Sequence, residues 1–409
     1  MQNESMAAGK PGAQNRPENR GKPVFFRTKF TWGGYFFIAY FAYYQASLGP
    51  LIPFIRDELN INYTISGMHM SAFALGMVIA GIAGSFLGKK LSRKLLWFSG
   101  SMGMAVSAIV LSIGLHPAIT ITGALGMGIF GSLCFFVVQA VLSDLHGSFR
   151  AVALTEANIL ASIAAGLVPM GIGVFAAIGL GWRGVLYVPV IFLIPALLVL
   201  FPKTVSEPHE DDESEGKKEK LPIMYWVYWI VIILGVSAEW CMAFWGAEYL
   251  QGQGGIEKAV ASTVMSLFFL AMVMGRFVAS RLTRRVPAQD MLIFAVVVAL
   301  IGFPFFWIHA DPIIRIAGLF VTGFGVANFF PLALAAAMDV TPKASDRASA
   351  FITSGAGGAI FAAPLILGSI ADFLGIFWAY GIVAVFLSAM LVSVVIASII
   401  LKYTQKKEA

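Results

Sequence analysis

The sequence predicts an all-α membrane protein with twelve spanning helices in two bundles of six. Hydrophobic residues make up 58% of the chain and charged residues 12%, and the mean hydropathy is +0.82. An average soluble domain has fewer apolar and more charged residues. Apolar runs of about 20 residues, the length that crosses a bilayer as a helix, recur along the chain. The short alternating segments of a transmembrane β-barrel are absent from the sequence.

One interior segment, residues 202–220, is too polar to lie in a membrane. It contains seven acidic residues and four lysines, and such a segment is expected to be solvated and flexible. It divides the apolar sequence into two halves of similar length. The predicted parts are an N-terminal arm (1–32), a first six-helix bundle (33–201), a linker (202–222), a second six-helix bundle (223–401) and a C-terminal tail (402–409).

Six apolar runs make up the first half, and glycine, proline or charged residues mark their ends. They cover residues 33–54, 66–88, 95–114, 118–142, 151–178 and 184–201. The first run ends before the charged triplet 56–58, and the second ends at a basic segment, 89–94. Arg150 precedes the fifth run, and the glycines at 179 and 181 separate it from the sixth.

Six further runs make up the second half. They cover residues 223–249, 259–281, 288–309, 313–338, 348–371 and 375–401. Glycines precede the second run, a basic segment at 281–285 precedes the third, and Pro312 precedes the fourth. The result is an even number of spans, which predicts that both termini lie on the same side of the membrane.

The lysines and arginines predict the orientation, because loops rich in these residues stay in the cytoplasm. With the N-terminus inside, 23 of the 28 basic residues lie on the cytoplasmic side. The opposite side receives only Arg56, Arg183, Lys258 and Arg315. We therefore expect a multi-pass protein of the inner or plasma membrane with both termini in the cytoplasm. The net charge of +6 then follows from topology, so lipid is an expected partner and nucleic acid is not.

Several other classes of protein lack support in the sequence. The N-terminal arm has no apolar segment of the kind found in a cleavable signal peptide. The two cysteines, Cys134 and Cys241, lie within apolar runs, which favours buried side chains over a disulfide or a metal site. The nucleotide-binding P-loop, the nucleophile elbow and metal-ligand spacings are all missing. We expect no enzyme activity, no cofactor and no metal.

The two halves carry similar segments at corresponding positions. Residues 84–94, after the second run, and 275–285, after the eighth, each join a helix end rich in small residues to a basic loop. Repeats of this kind are typical of transporters that bind their substrate between the two repeats, near the middle of the membrane.

These features resemble the major facilitator superfamily, over nearly the whole chain apart from its two tails. The loop 50–59 looks like the exit from that family's first helix, and 84–94 is similar to its signature loop between helices 2 and 3. The signature loop departs from the family pattern, with Gly88 in place of aspartate, Leu91 in place of glycine and Ser92 in place of a basic residue. The basic character remains, but the aspartate and one of the paired basic residues of the family's charge relay are absent from this loop.

Within the superfamily the sequence resembles fucose-permease-like and related uncharacterised bacterial members. The residues that carry this resemblance are Ser237, Glu239, Trp240, Trp245, Tyr249 and Leu250 in the seventh run, Gly275 and Arg276 in the eighth, Gly323, Gly325, Phe330 and Pro331 in the tenth, and Gly355, Gly357, Gly358, Pro364 and Gly368 in the eleventh. The resemblance implies two bundles that rock about a central cavity. It also implies uptake of a sugar or another small polar solute, and we expect a monomer.

Glu239 is the first candidate for proton coupling. It lies near the centre of the seventh run, where an ionised carboxylate costs at least a few kcal/mol. The group is therefore expected to hold a proton until a partner or water reaches it, as a proton carrier does. The alternative is a structural carboxyl group that pairs with Arg276.

Four other charged residues are candidates for lesser roles. Glu156 is the reserve proton-coupling residue, with a gate or a structural ion pair as the alternative. Arg150, Arg276 and Asp339 are predicted gating or structural charges. Asp339 is expected to join Lys343, Asp346 and Arg347 in an interfacial cluster, and Arg276 to extend towards the headgroups.

Polar and aromatic side chains within the spans predict the lining of a substrate site. Hydrogen bonding between helices is the alternative role for each polar group, and packing or lipid contact is the alternative for the tryptophans. The predicted substrate-binding residues are Tyr40, Tyr44, Gln45, Gln139, Asn158, Glu239, Trp240, Trp245 and Asn328.

The sequence thus predicts a secondary active transporter, with the proton as coupling ion and sodium left open. One alternative is an exporter of amphipathic, drug-like or lipid compounds, and another is a receptor or sensor that has lost transport. Hydrogen-bonding groups around Glu239 would favour a polar solute, whereas a broad surface of phenylalanine and methionine would favour an amphipathic one. Substrate, direction and stoichiometry remain open at this level.

Overall fold

The computed structural model describes residues 25–88, 90–201, 221–283, 285–341 and 345–408. Most of the predicted arm and linker, residues 1–24 and 202–220, lie outside these ranges. The first half consists of α1 (Lys29–Leu59), α2 (Tyr63–Leu87), α3 (Arg93–Ile113), α4 (Pro117–His146), α5 (Arg150–Ala177) and α6 (Gly184–Val199). A short 3₁₀ turn, Gly147–Phe149, joins α4 to α5.

The second half has the same number of spanning elements, two of them interrupted. It consists of α7 (Ile223–Gly254), α8 (Lys258–Leu282), α9 (Ala288–Trp307), α10a (Pro312–Val326), α10b (Phe329–Asp339), α11 (Ser345–Leu374), α12a (Ile376–Ala379) and α12b (Gly381–Glu408). α12b continues past the predicted end of the last run at residue 401.

Length and composition support the membrane assignment. Nine segments of the described chain are long and apolar enough to cross a membrane, and one of them, Pro117–Ala177, includes both α4 and α5. α6 is a shorter apolar helix, and α1 completes the set of twelve. The predicted all-α fold class is confirmed.

Helix α1 begins at Lys29, four residues before the predicted run. Thr28 explains the difference, because its side chain accepts a hydrogen bond from the backbone N–H of Thr31, while the Thr31 hydroxyl oxygen accepts one from the backbone N–H of Thr28. This reciprocal cap satisfies donors that the first turn of a helix leaves free. A polar cap of this kind can therefore start a helix ahead of its apolar run.

In the described chain the halves contact each other through α1, which packs on α7 and less extensively on α8, and mainly through the pairs α2 with α11 and α5 with α8. The last two pairs are related by exchange of the halves, as the internal repeat requires. Glycine permits the closest approach, since a Cβ atom on Gly49 of α1 would lie 2.4 Å from the Ala243 carbonyl oxygen of α7. The backbones of the two halves are therefore in direct contact.

Each half also has an aromatic core of its own. Trp97, Phe37 and Tyr44 are fully buried in the first half, and Tyr249 and Tyr380 in the second. Their ring planes meet edge-on or tilted, as in the contact between Phe37 and Trp97 and that between Tyr249 and Tyr380. Two halves that are each packed internally can move as units.

Candidate functional site

The break between α10a and α10b provides a hydrogen-bond acceptor for Arg276, an exposed residue near the end of α8. Pro331 has no N–H and leaves the carbonyl of Ala327 without its usual helical donor. Nε of Arg276 donates to that carbonyl at 3.3 Å, and Nη1 donates to the hydroxyl of Ser162 at 2.9 Å. Arg276, on α8, therefore links its own half to α5 of the other half through neutral acceptors.

A cavity lies beside Arg276, between the halves. Its inner part has a volume of about 160 Å³ and its wider part about 850 Å³, and both are lined by Asn158, Glu239, Trp240 and Arg276. The wider part reaches Thr283 and Ala288, at the connection between α8 and α9. We call this end of the protein the basic end, because the exposed residues Lys90, Lys94, Arg281 and Arg285 lie there.

Glu239 lies in the middle of α7 and faces both parts of the cavity. Among the described residues, its carboxyl group accepts no hydrogen bond, and no cation lies within 4 Å of it. Arg276 is the charged group whose field reaches it. Glu239 and Arg276 are also the only charged residues among those that line the two parts of the cavity in the described chain.

Other predicted residues add neutral polar groups to this lining. Gln45 of α1 lines the inner part, and Gln139 of α4 and Asn328 line the wider part. Asn158 donates from Nδ2 to the Leu154 carbonyl at 2.9 Å, which leaves its amide oxygen available as an acceptor. Apolar surface comes from Met70, Phe244, Phe269 and Met272. The lining of the cavity therefore combines polar and apolar side chains.

Three of the predicted substrate-binding residues lie outside the cavity lining. The hydroxyls of Tyr40 and Tyr44 donate to the carbonyls of Ser101 and Leu186, within the first half. Nε1 of Trp245 donates to the Pro364 carbonyl at 2.9 Å, within the second half. In this conformation all three side chains pack between helices.

Glu156 also lies away from the cavity. Its Oε2 accepts from Nε of Arg27 and from the hydroxyl of Tyr35, both at 2.8 Å. Nη2 of Arg27 completes a bidentate pair with the same carboxylate. Arg150 is exposed at the start of α5, and Asp339 is exposed at the end of α10b. The side chains of Lys343, Asp346 and Arg347, expected beside Asp339, lie outside the described part of the chain.

The end opposite the basic end is closed by ion pairs between the halves. Nη2 of Arg56, near the end of α1, lies 2.8 Å from Oε1 of Glu248 on α7. Glu248 is only 1% exposed, so Arg56 brings a charge to a buried carboxylate. Asp57, beside Arg56, pairs with Lys258 at the start of α8. We call these two pairs the closure pairs.

Hydrogen bonds reinforce the closure. The carboxylate of Asp372, at the end of α11, accepts from the backbone N–H groups of Tyr63 and Thr64 at 2.8 Å each. Those donors form the first turn of α2, where a negative charge is stabilised by the helix dipole. The hydroxyl of Ser262 donates to the Pro50 carbonyl at 2.9 Å. The cavity therefore reaches one end of the protein while the other end is sealed.

Sequence patterns did not predict roles for Ser162, Glu248 or the closure pairs. Glu248 could have been predicted from the sequence, because any carboxyl group inside an apolar run is a candidate functional residue. Arg56, Asp57 and Lys258 appeared only as loop charges, and nothing local indicated their partners. Their pairing depends on how the two halves pack together.

A central cavity between two repeated six-helix halves, sealed at one end, defines a membrane transport protein of the two-bundle type. The chain belongs to the major facilitator superfamily, since that family's model matches residues 31–308 and 228–409. Major facilitator proteins are membrane transporters and not enzymes.

Similar proteins agree with this assignment. An uncharacterised transporter of the same superfamily from Yersinia pestis is 25% identical over 85% of this chain and 91% of its own length. A bacterial homolog to the human lysosomal transporter Spinster, in an inward-facing and occupied conformation, has a TM-score of 0.75 at 11% identity, with coverage of 91% and 98%. A D-xylose-proton symporter has a TM-score of 0.69 at 14% identity, with coverage of 89% and 96%. At these identities the two solved structures establish the fold alone.

Proposed function

We propose that this protein takes up a small polar organic solute together with protons, by alternating access. Glu239 carries the proton, while Gln45, Gln139, Asn158 and Asn328 bind the solute beside Trp240. The main support for this proposal is the position of Glu239. Its carboxyl group faces the cavity at the middle of a spanning helix, and no hydrogen-bond donor among the described residues contacts it. A carboxyl group in such a place can exchange a proton without breaking a structural contact.

Polar side chains in the lining support a polar solute. Amide and hydroxyl groups from both halves line the cavity together with Glu239, alongside apolar residues such as Phe244 and Phe269. One solved neighbour is a sugar-proton symporter.

The basic end faces the cytoplasm in our proposal, so the cavity is open to the inside and the closure pairs seal the outside.

The proposal can be tested in proteoliposomes that contain the purified full-length protein and the trapped pH indicator pyranine. Neutral sugars, sugar acids, amino acids and nucleosides are added one at a time outside. We expect at least one solute to acidify the interior as it enters, and a protonophore to abolish its accumulation. Solute entry without any proton movement, or entry driven only by a sodium gradient, would contradict proton coupling. Binding without counterflow would indicate the sensor alternative.

An apolar groove supports a second candidate function, the export of amphipathic compounds. The groove has a volume of about 570 Å³, lies between α5 and α8 and shares Ser162 and Phe269 with the central cavity. Its exposed residues include Leu167 and Leu270, on helices that cross the membrane. An amphipathic compound could therefore enter the cavity sideways from the lipid.

This second candidate predicts that Gly166→Trp, which fills the groove, stops the efflux of ethidium from cells that express the protein. Leu198→Trp is the matched control, because Leu198 is 81% exposed on α6 and away from the groove. Efflux should fall to the background rate in the first variant and stay at the wild-type rate in the second. If the wild-type protein moves no ethidium, this candidate function is rejected.

A further inference from the structure

The charge inside the cavity depends on one proton. Of the described residues that line the cavity, Arg276 is the one base and Glu239 the one acid. The other helices contribute uncharged groups there: Gln45 from α1, Met70 from α2, Gln139 from α4, Asn158 from α5, Asn328 from the break in α10 and Ala356 from α11. Protonation of Glu239 therefore changes the net charge of the cavity from zero to +1.

Among the described residues, no other ionisable group replaces Glu239 in this balance. Glu248 lies on the same helix, nine residues further on, or about 13 Å along the helix axis, and it pairs with Arg56. Tyr380, of the neighbouring α12, donates its hydroxyl to the Cys241 carbonyl and does not line the cavity. The field at Glu239 is that of Arg276.

The contacts of Arg276 leave its positive charge available. Both of its observed hydrogen bonds go to neutral oxygens, the Ala327 carbonyl and the Ser162 hydroxyl. Arg276 is an exposed residue that lines the cavity, so an anion in the cavity can approach its guanidinium group. A guanidinium group also matches a carboxylate in shape, since its planar N–H groups can form two parallel hydrogen bonds.

We propose that the solute is a small organic monoanion with a carboxylate, bound by Arg276 only when Glu239 is protonated. The empty cavity then contains Glu239 as a carboxylate and Arg276 as a cation, and the loaded cavity contains a neutral Glu239, the same cation and the anion. Both forms have zero net charge. One proton and one monoanion cross together, and no net charge moves.

This inference rests on the proposed coupling through Glu239, but the two make different predictions. A neutral sugar that enters with a proton carries one positive charge, so the membrane potential drives its uptake. A monoanion that enters with a proton carries none, so only the pH difference contributes. A membrane potential of about 100 mV would accumulate a substrate that crosses with one net charge about 50-fold. The same potential should leave the uptake of the anion unchanged.

The experiment uses proteoliposomes of the wild-type protein and three pairs of labelled probes. D-gluconate, D-galacturonate and L-lactate are compared with D-glucose, D-galactose and glycerol. Uptake is measured with a pH difference alone and with a potassium diffusion potential alone. We expect the pH difference to drive at least one carboxylate, the potential to have no effect on it, and its neutral partner to stay outside.

Variants then test the role of Arg276 in binding. Arg276→Gln should weaken binding of the carboxylate at least tenfold, as measured by thermal-shift titration at acidic pH. Arg276→Lys should recover part of that lost affinity. Arg281→Gln is the control, since Arg281 lies on the same helix outside the cavity lining and contacts Phe277. Gel filtration checks the folding of each variant. The comparison between the pH difference and the diffusion potential uses the wild-type protein alone.

Three results would overturn the inference while proton coupling still stands: uptake of a neutral sugar driven by the potential, transport of none of the three carboxylates, or unchanged carboxylate binding in a folded Arg276→Gln protein. If the pH difference changes the uptake of none of the probes, the proposed function itself is overturned. The two failures are therefore distinguishable.

Discussion

Replacing Glu239 with glutamine is expected to abolish proton-driven accumulation of the solute and to leave its exchange intact. Glutamine keeps the size and the hydrogen-bonding capacity of a protonated carboxyl group but cannot release a proton. A pH difference of one unit supports about tenfold accumulation in a carrier that moves one proton with each solute. In the variant the inside and outside concentrations should become equal, while counterflow should continue near the wild-type rate.

The pH dependence of binding gives a second measure of the same variant. Wild-type binding should be strong at acidic pH, where Glu239 is protonated, and should fall as the pH rises. Binding to Glu239→Gln should change little with pH. Glu156→Gln is the control, because Glu156 is paired with Arg27 outside the cavity. If that control loses accumulation while Glu239→Gln keeps it, the assignment of the proton carrier must be reversed.

Replacing Arg56 with glutamine is expected to open the sealed end of the protein. The substitution leaves Glu248, 1% exposed, as a buried carboxylate without its cation. Removing one partner of a buried ion pair costs about 3–5 kcal/mol, and every 1.4 kcal/mol is a factor of about ten in a population ratio. The closed conformation should therefore lose at least about a hundredfold in population relative to the conformation open at this end.

Labelling of an introduced cysteine can measure that shift. Ser262→Cys places a thiol at a fully buried position between the halves, and the natural cysteines are buried. A membrane-impermeant maleimide should label it faster in the Arg56→Gln background. Arg183→Gln is the matched control, because Arg183 pairs with Glu58 inside the first half, and its labelling rate should match the wild type.

A double variant separates the loss of the ion pair from a general loosening of the structure. Arg56→Gln combined with Glu248→Gln removes the unpaired buried charge, so labelling should return towards the wild-type rate. If the double variant is labelled as fast as the single one, the pair does not hold the closure. Closure would then depend on the backbone contacts at Gly49 and on the Asp372 cap of α2.

The two acidic residues of α7 show what a sequence pattern can predict and what it cannot. Glu239 was identified as a candidate because an acid at the centre of an apolar run is costly, and the structure places it in a cavity. Glu248 meets the same criterion nearer the end of the run, yet it contacts Arg56 of the other half. A one-dimensional pattern gives the depth of each acid in the membrane but not its partner.

The tyrosines of α1 illustrate a related limit. Tyr40 and Tyr44 share a helical face, which the sequence analysis assigned to the substrate site together with Gln45. In the structure only Gln45 lines the cavity, while the tyrosine hydroxyls bond to backbone carbonyls of neighbouring helices. Helical spacing groups residues on a face, but the neighbouring helices determine where that face points.

By itself, the sequence predicted the number of helices, a division at residues 202–220 and the positions of Glu239 and Arg276 along their helices. These features are local, because the length of an apolar run and the position of a charge within it set the free energy of a helix in a bilayer. Only the tertiary structure decided that the two charges share a cavity with no contact between them, and that Arg56 meets Glu248. Those features depend on contacts between residues far apart in the chain, which form only when the halves pack together.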